Sequence, residues 1–139
     1  MTNQQKRFNE IIQLNQHKED VFAFIGLGSM HDLSRLDAYS DIDFFIIVQS
    51  QDDKKRYMED MSWLEVQPII FSYIETKDGL KVIYDDGILL EFAVFTLDEL
   101  NQIPFQEGTV YYKKAFIDEH DLKPQIQSFH AFDLNKTIS

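Results

Sequence analysis

Two aspartates separated by one apolar residue constrain this 139-residue chain more than any other feature. The segment Ser40-Asp41-Ile42-Asp43 leads directly into the apolar run FFIIV. This run predicts a strand, in which side chains two residues apart point to the same face, about 6.5 Å apart along the chain. Two carboxylates so close together raise each other's pKa and repel unless a cation lies between them. The segment therefore predicts a site for Mg²⁺, which takes one or two carboxylates together with water and substrate phosphates.

A glycine and a serine follow the preceding apolar run and are typical of a phosphate site. The run VFAFIGL predicts a buried strand over residues 21–27, which ends at Gly28-Ser29. Because Gly28 has no side chain, the backbone can approach a ligand closely there. Residues 30–36 predict a helical turn or two whose free N–H groups favour an anion. The alternative is a turn glycine followed by two solvent-facing aspartates; we favour a functional site, since buried unpaired acids are costly.

The composition indicates one domain over residues 1–139 and limits its partners. The hydrophobic share of 44% and the twelve phenylalanines predict a globular protein with a substantial core. The absence of cysteine excludes disulfides and thiolate zinc sites and is compatible with a cytoplasmic location. A net charge of −11 argues against nucleic-acid binding and favours a neutral or cationic substrate. We also expect neither a signal peptide nor a membrane partner, because the apolar runs are too short.

Periodicity and turn residues predict the elements around these segments. We predict helices over residues 3–16, 54–64 and 96–101, and strands over residues 21–27, 42–48, 68–74, 80–84 and 88–95. Thr96 and Glu99 have the spacing of a capping box. Asp52 and Asp53 are N-cap candidates for the second helix. A late edge strand is predicted around residues 111–117.

Two further features carry weaker functional signals. Lys54, Lys55 and Arg56 are the only basic cluster in the sequence. It indicates either a phosphate contact or a solvated first helical turn, and we favour the solvated turn. The four histidines lack zinc-ligand spacing. His31 follows the glycine turn and is expected to be a surface residue.

A third acid, Glu91, is the only charged residue in the run ILLEFAVF. A lone ionised carboxylate in a core strand is costly without a partner. A metal or an incoming hydroxyl beside Asp41 and Asp43 would supply that partner. The alternative is an edge-strand glutamate that faces water. We favour the triad, because the flanking residues are apolar on both faces of the predicted strand.

Taken together, these residues resemble the DNA polymerase β-like nucleotidyltransferase superfamily. The shared pattern is Gly28-Ser29, a polar spacer and Asp41-x-Asp43. Within the superfamily, the chain looks most like the lincosamide and aminoglycoside nucleotidyltransferases, on the segments YSDIDFFIIV and ILLEFAVFTLDEL and the order of the elements between them. The resemblance covers residues 20–120. It implies an α+β, polymerase β-like fold with a mixed sheet and helices packed mainly on one face.

The resemblance also implies a reaction and the residues that carry it. Asp41, Asp43 and Glu91 would be the catalytic residues and the ligands of Mg²⁺ or Mn²⁺, with Glu91 also a candidate base at a position where many members have aspartate. Two such ions, about 3.5–4 Å apart, stabilise an in-line displacement. Gly28 and Ser29 would hold the phosphates of ATP or another nucleoside triphosphate. The enzyme would transfer a nucleoside monophosphate to a hydroxyl of a small, antibiotic-like acceptor and release pyrophosphate.

The antibiotic-modifying members carry a further helical domain, and its absence from this sequence leaves three interpretations open. The chain forms a homodimer that shares acceptor sites, or it pairs with a separate helical chain, as minimal nucleotidyltransferases do with HEPN-type partners in toxin–antitoxin systems. In the third interpretation it binds nucleotide without turnover, against which the complete triad argues. The tail, residues 124–139, is expected to fray or to take part in oligomerisation.

Overall fold

This computed structural model describes residues 1–124 of the chain. These residues form an α+β fold with a six-stranded mixed sheet and three α-helices. The helices are α1 (Asn3–Asn15), α2 (Gln51–Glu59) and α3 (Leu97–Leu100). The strands are β1 (Val21–Leu27), β2 (Ile42–Val48), β3 (Ile69–Ile74), β4 (Gly79–Tyr84), β5 (Leu89–Thr96) and β6 (Thr109–Lys113).

The order of the strands in the sheet is β3-β4-β5-β2-β1-β6. β2 and β5 run parallel near the centre, and the other neighbouring strands are antiparallel. Residues directly opposite each other share one face of a sheet, so the register decides which side chains meet. One such row crosses five strands and consists of Leu27, Asp43, Glu91, Lys81 and Tyr73. The register therefore places two of the predicted site residues side by side.

Each face of the sheet carries its own hydrophobic cluster. On one face, α1 packs through Phe8 against Phe44 of β2, and Tyr57 of α2 belongs to the same cluster. On the face that carries the row, α3 and a later segment contribute Leu100 and Leu122. Because the second cluster includes few strand residues beyond β1, β2 and β5, Glu91 and its neighbours on this face remain open to solvent.

Sequence reasoning located the strands well but misplaced the second helix. β1 and β2 have the predicted bounds, and the capping box of α3 is present. The prediction of one helix over residues 54–64 is wrong, since α2 ends at Glu59 and a separate 3₁₀ turn follows. Ser50 is the N-cap, because its hydroxyl accepts the Asp53 N–H at 3.2 Å, so neither Asp52 nor Asp53 caps this helix. Asp60, which has an extended backbone, separates the two segments.

The basic cluster of α2 is solvated only in part, since Lys55 and Arg56 are exposed and Lys54 is buried. The Lys54 side chain is buried, and its ammonium group donates to Asp78 and, at 2.8 Å, to Glu99. Arg56 pairs with Asp53 at 2.8 Å and with Asp20. The prediction of a solvated first turn is therefore wrong for Lys54, which ties α2 to α3 and to the turn before β4.

The last described segment differs in part from its prediction. β6 is an edge strand, as predicted, but it covers Thr109–Lys113, and residues 115–117 form a turn that buries Ile117. The predictions for the tail fall almost wholly on residues 125–139, which lie outside the described residues. Within residues 1–124, no helix has the length and apolar character needed to cross a membrane.

Candidate functional site

The three predicted acids come together at one end of the parallel strand pair. Asp41 immediately precedes β2, Asp43 lies within it, and Glu91 lies directly opposite Asp43 on β5. One carboxylate oxygen from each residue lies within 4.8 Å of the others. Since β5 lies between β4 and β2, the alternative that Glu91 belongs to an edge strand is wrong. Glu91 is nevertheless exposed, because it projects from the open face of the sheet.

Loop contacts hold Asp41 close to the turn that ends β1. Gln4 of α1 is buried and donates to the carbonyl oxygens of Asp37 at 3.0 Å and Ser40 at 3.1 Å. The Ser29 hydroxyl donates to the carbonyl oxygen of Asp41 at 3.4 Å. The spacer between Gly28 and Asp41 is thus held in place by hydrogen bonds. The helix α1, which was expected only to pack against the core, also positions the site through Gln4.

Asp43 has the most perturbed electrostatics of the three acids. Burial, followed by the nearby charges of Glu91 and Asp41, raises the pKa of Asp43 to about 6, and Lys81 partly opposes this effect. The Oδ1 atom of Asp43 is buried and accepts no hydrogen bond from residues 1–124. A buried carboxylate oxygen without a donor is costly when ionised. The site therefore has excess negative charge and an unsatisfied oxygen, both of which a bound cation would relieve.

Replacing Asp43 with asparagine is expected to stabilise the protein at neutral pH in the absence of metal. The pKa of Asp43 rises from its ordinary value of 3.8 to about 6 on folding, so the folded state binds more protons than the unfolded state between these values. The free energy of unfolding of the wild type should consequently fall as the pH rises through this window. After a discount for solvent screening of this half-buried group, Asp43→Asn should be about 1–2 kcal/mol more stable at pH 7.

Urea unfolding of both proteins between about pH 4 and pH 7, with a chelator present, measures this difference. The advantage of Asp43→Asn should shrink as the pH falls, because the wild-type carboxyl is then protonated in both states. A variant less stable than the wild type at pH 7 would show that the Asp43 carboxylate stabilises the fold.

Gly28 is required at its position by the close approach of Asp43. Leu27 pairs with Asp43 in the sheet, and Gly28 then turns the chain with a φ of +54°, which favours glycine. A Cβ atom at Gly28 would lie only 2.9 Å from Oδ2 of Asp43. The absence of a side chain at Gly28 therefore leaves room for the Asp43 carboxylate. The helical turn or two predicted over residues 30–36 is present as two short 3₁₀ turns, Gly28–Met30 and Leu33–Arg35, of which the first begins earlier than predicted.

Two cavities meet at the end of β1, and Leu27 lines both. The larger, of about 590 Å³, is also lined by Gly28, His31 and Arg35. The smaller, of about 350 Å³, contains Asp43, Glu91 and Glu75 together with apolar residues of the open face. The larger cavity thus combines Arg35 and His31 with the carboxylates of Asp32 and Glu107, and the smaller contains two members of the acid cluster.

Sequence reasoning missed several charged residues in and beside these cavities. Lys81 lies opposite Glu91 on β4, and the Glu91 carboxylate raises its pKa; its ammonium group is 3.8 Å from Glu75. Arg35 lines the larger cavity, where His31 also lies, exposed as predicted and 2.8 Å from the Thr109 hydroxyl. The alternation of side chains along β4 could have placed Lys81 on the face opposite Val82, but its neighbours depend on the register.

The three acids fit a hard divalent cation. Carboxylate oxygens are the ligands that Mg²⁺ and Mn²⁺ prefer, and one or two carboxylates with substrate phosphates complete a typical magnesium shell. The buried Oδ1 of Asp43 and the 4.8 Å grouping of the ligand atoms are the structural observations that support this fit. No family model matches this sequence, and no match is found among curated proteins.

Proposed function

We propose that this chain is a metal-dependent nucleotidyltransferase that transfers a nucleoside monophosphate, most simply from ATP, to a hydroxyl of a small acceptor. The observation that carries the proposal is the grouping of Asp41, Asp43 and Glu91 within 4.8 Å, directly beside the Gly28 turn, with Asp43 and Glu91 lining the smaller cavity. Paired acids on neighbouring strands next to a Gly-Ser turn are also what the polymerase β-like superfamily implies. We extend the proposal to that fold, and to a cytoplasmic location.

The larger cavity is the better place for the triphosphate. It is lined by Gly28 and by two groups that can contact phosphate oxygens, the Arg35 guanidinium and the His31 ring. Arginine presents a planar set of donors that matches phosphate geometry. The carboxylates of Asp32 and Glu107 line the same cavity, and Asp32 interacts electrostatically with Arg35, so a divalent cation would have to accompany the triphosphate. Ser29, in the same turn, adds a hydroxyl next to the acids.

The smaller cavity suits the acceptor. Asp43, Glu75 and Glu91 give it negative charge, and Leu27, Phe45 and Ala93 give it apolar surface. Such a lining favours an acceptor that carries an amino group and an apolar part. Among the antibiotic-like acceptors that the resemblance implies, the cationic ones carry such amino groups. The net charge of −11 favours the same kind of acceptor.

The proposed chemistry is an in-line substitution at the α-phosphorus. The acceptor oxygen forms a bond to the α-phosphorus, and the bond from that phosphorus to the oxygen bridging to the β-phosphorus breaks. Pyrophosphate leaves, and the acceptor's proton passes to the exposed Glu91 carboxylate, which acts as general base. A divalent ion held by Asp41, Asp43 and Glu91 would supply charge neutralisation for the phosphates. Arg35 and the Gly28 turn would orient the triphosphate.

Stabilisation by magnesium and ATP tests the nucleotide and metal part of this proposal. A ligand that binds only the folded state at a hundredfold excess over its Kd stabilises by about 2.7 kcal/mol. We therefore expect Mg²⁺ with ATP to raise the melting temperature of the wild type. Asp41→Asn/Asp43→Asn should lose this response while it remains folded, and should be at least as stable as the wild type without metal.

The matched control is Asp52→Asn/Asp98→Asn, which removes the same charge from two exposed positions outside the acid cluster. This control should keep the full response to Mg²⁺ and ATP. A melting temperature that Mg²⁺ and ATP leave unchanged in the wild type, or raise equally in Asp41→Asn/Asp43→Asn, would contradict the proposal. Unfolding of Asp41→Asn/Asp43→Asn without metal would instead show that the aspartates are structural.

A further inference from the structure

The strand β3 is an exposed apolar edge. Within residues 1–124 it pairs only with β4, at the end of the sheet. Four of its large side chains are extensively exposed: Ile70 at 65%, Phe71 at 53%, Tyr73 at 41% and Ile74 at 57%. These four lie together on one strand, whereas the other exposed large hydrophobic residues among those described are scattered over several elements. An exposed set of this kind usually marks an interaction surface.

Proteins normally protect such an edge. An unpaired strand edge presents free N–H and C=O groups, and charged side chains or proline usually prevent it from pairing with another chain. The segment Ile69–Ile74 contains neither a charge nor a proline, although the molecule as a whole has a net charge of −11. An uncharged surface is where a second copy of this acidic chain meets the least local repulsion. β3 is such a surface.

The aromatic residues of β3 are arranged to match their own copy. Phe71 and Tyr73 alternate around Ser72, lie on the same face of the sheet, and contact each other with ring centroids 5.4 Å apart. If two β3 strands pair antiparallel about a twofold axis at Ser72, Phe71 of each copy lies opposite Tyr73 of the other. Moving the axis to Tyr73 would place Phe71 opposite the charged Glu75. The axis at Ser72 pairs aromatic with aromatic twice and leaves Glu75 opposite Ile69 at the end of the strand.

We propose that β3 is a homodimerisation strand, which pairs antiparallel with β3 of a second copy about an axis at Ser72. Twofold dimers use the same surface on both subunits, so a self-matching strand is the simplest solution. Complete burial of the exposed parts of the four side chains and Ser72 in both copies would remove at most on the order of 900 Å² from solvent, below the roughly 1,000 Å² at which specific, stable interfaces begin. The dimer is therefore reversible and concentration-dependent. It forms whether or not the chain transfers nucleotides.

The test uses the full chain and two charge-reversed variants. Phe71→Lys/Tyr73→Lys and Phe71→Glu/Tyr73→Glu each place like charges opposite one another across the axis. Sedimentation velocity over a range of concentrations should show a reversible wild-type dimer and, for each variant alone, a dissociation constant raised more than about tenfold. An equimolar mixture of the two variants should restore a dimer, because unlike charges then face each other.

Leu14→Lys/Leu33→Lys is the matched control, since it places two charges on leucines that are each 46% exposed. It should dimerise like the wild type. The substituted positions in β3 are half exposed, so the variants are expected to fold, which thermal unfolding checks. For the wild-type protein, amide hydrogen exchange over residues 69–74 should slow as the protein concentration rises, because pairing with a second copy protects these amides.

Three results would overturn the proposal. The first is a wild type that stays monomeric with concentration-independent exchange in β3, as expected if residues 125–139 or a different protein cover this edge. The second is a dimer that both charge variants retain undiminished, which would place the interface elsewhere. The third is a mixture of the two variants that remains monomeric, which would reject pairing between the two aromatic positions.

Discussion

Glu91→Gln is expected to lower nucleotide transfer by about 10²–10⁴-fold while nucleotide binding remains close to that of the wild type. Glutamine keeps the shape of the side chain but removes the charge and the ability to accept a proton. Because Glu91 is exposed and projects from a strand held on both sides, the substitution should not disturb the fold. Asp41, Asp43 and the Gly28 turn, which remain, should still hold the nucleotide.

The measurement is pyrophosphate release from ATP in the presence of magnesium, with lincosamides and aminoglycosides as acceptors and nucleotide binding followed by calorimetry. Glu75→Gln is the matched control, since Glu75 lines the same cavity but is not a member of the acid cluster. It should affect acceptor affinity more than turnover. Equal rates for Glu91→Gln and wild type would reject Glu91 as the base. Tight binding of magnesium and ATP without turnover of any acceptor would favour one of two other interpretations: that the chain binds nucleotide without turnover, or that it acts together with a separate helical chain.

Gly28→Val is expected to abolish binding of magnesium and ATP. A side chain there meets Oδ2 of Asp43, because the Cβ atom would be 2.9 Å away, and the φ of +54° adds backbone strain. A left-handed conformation costs a residue other than glycine about 1–2 kcal/mol. The strain should lower the melting temperature, and the displaced Asp43 should remove the response to metal and nucleotide.

Gly87→Val separates these two effects. Gly87 has a φ of +90°, so valine is strained there too, but a Cβ atom meets nothing within 4 Å. This control should lose stability comparably and keep the increase in melting temperature that magnesium and ATP produce. If Gly28→Val binds nucleotide as tightly as the wild type by calorimetry, the nucleotide lies elsewhere on the protein.

The strands and the positions of the acids could be predicted because strong local signals specify them. VFAFIGL and IDFFIIV are apolar runs bounded by turn residues, and both strands have the predicted bounds. The alternation of side chains also puts Asp41 and Asp43 on one face, as the common grouping of their ligand atoms requires. That Glu91 joins them was predicted from the cost of a lone acid and from family resemblance. What these acids bind remains a prediction.

Features that depend on contacts distant in sequence could not be predicted in the same way. The burial of Lys54 depends on Asp78 and Glu99, which reach it only when α2, α3 and the turn before β4 are in place. Lys81 is a site residue only because the β4–β5 register places it opposite Glu91. The exposure of β3 follows from the strand order, and an apolar run such as IIFSYI by itself indicates a buried strand.

The parallel pairing of β2 with β5 has a consequence for how this protein folds. The antiparallel pairs β1–β2, β3–β4 and β4–β5 join strands that are consecutive in sequence, whereas β2 and β5 are joined only after β3 and β4 have been bypassed. Pairings between distant segments close long loops and form late. Asp43 and Glu91 therefore stay apart in the nascent hairpins and face each other only when the two halves of the sheet dock. Their mutual repulsion opposes that docking step, and a cation that arrives during it would accelerate the final stage of folding.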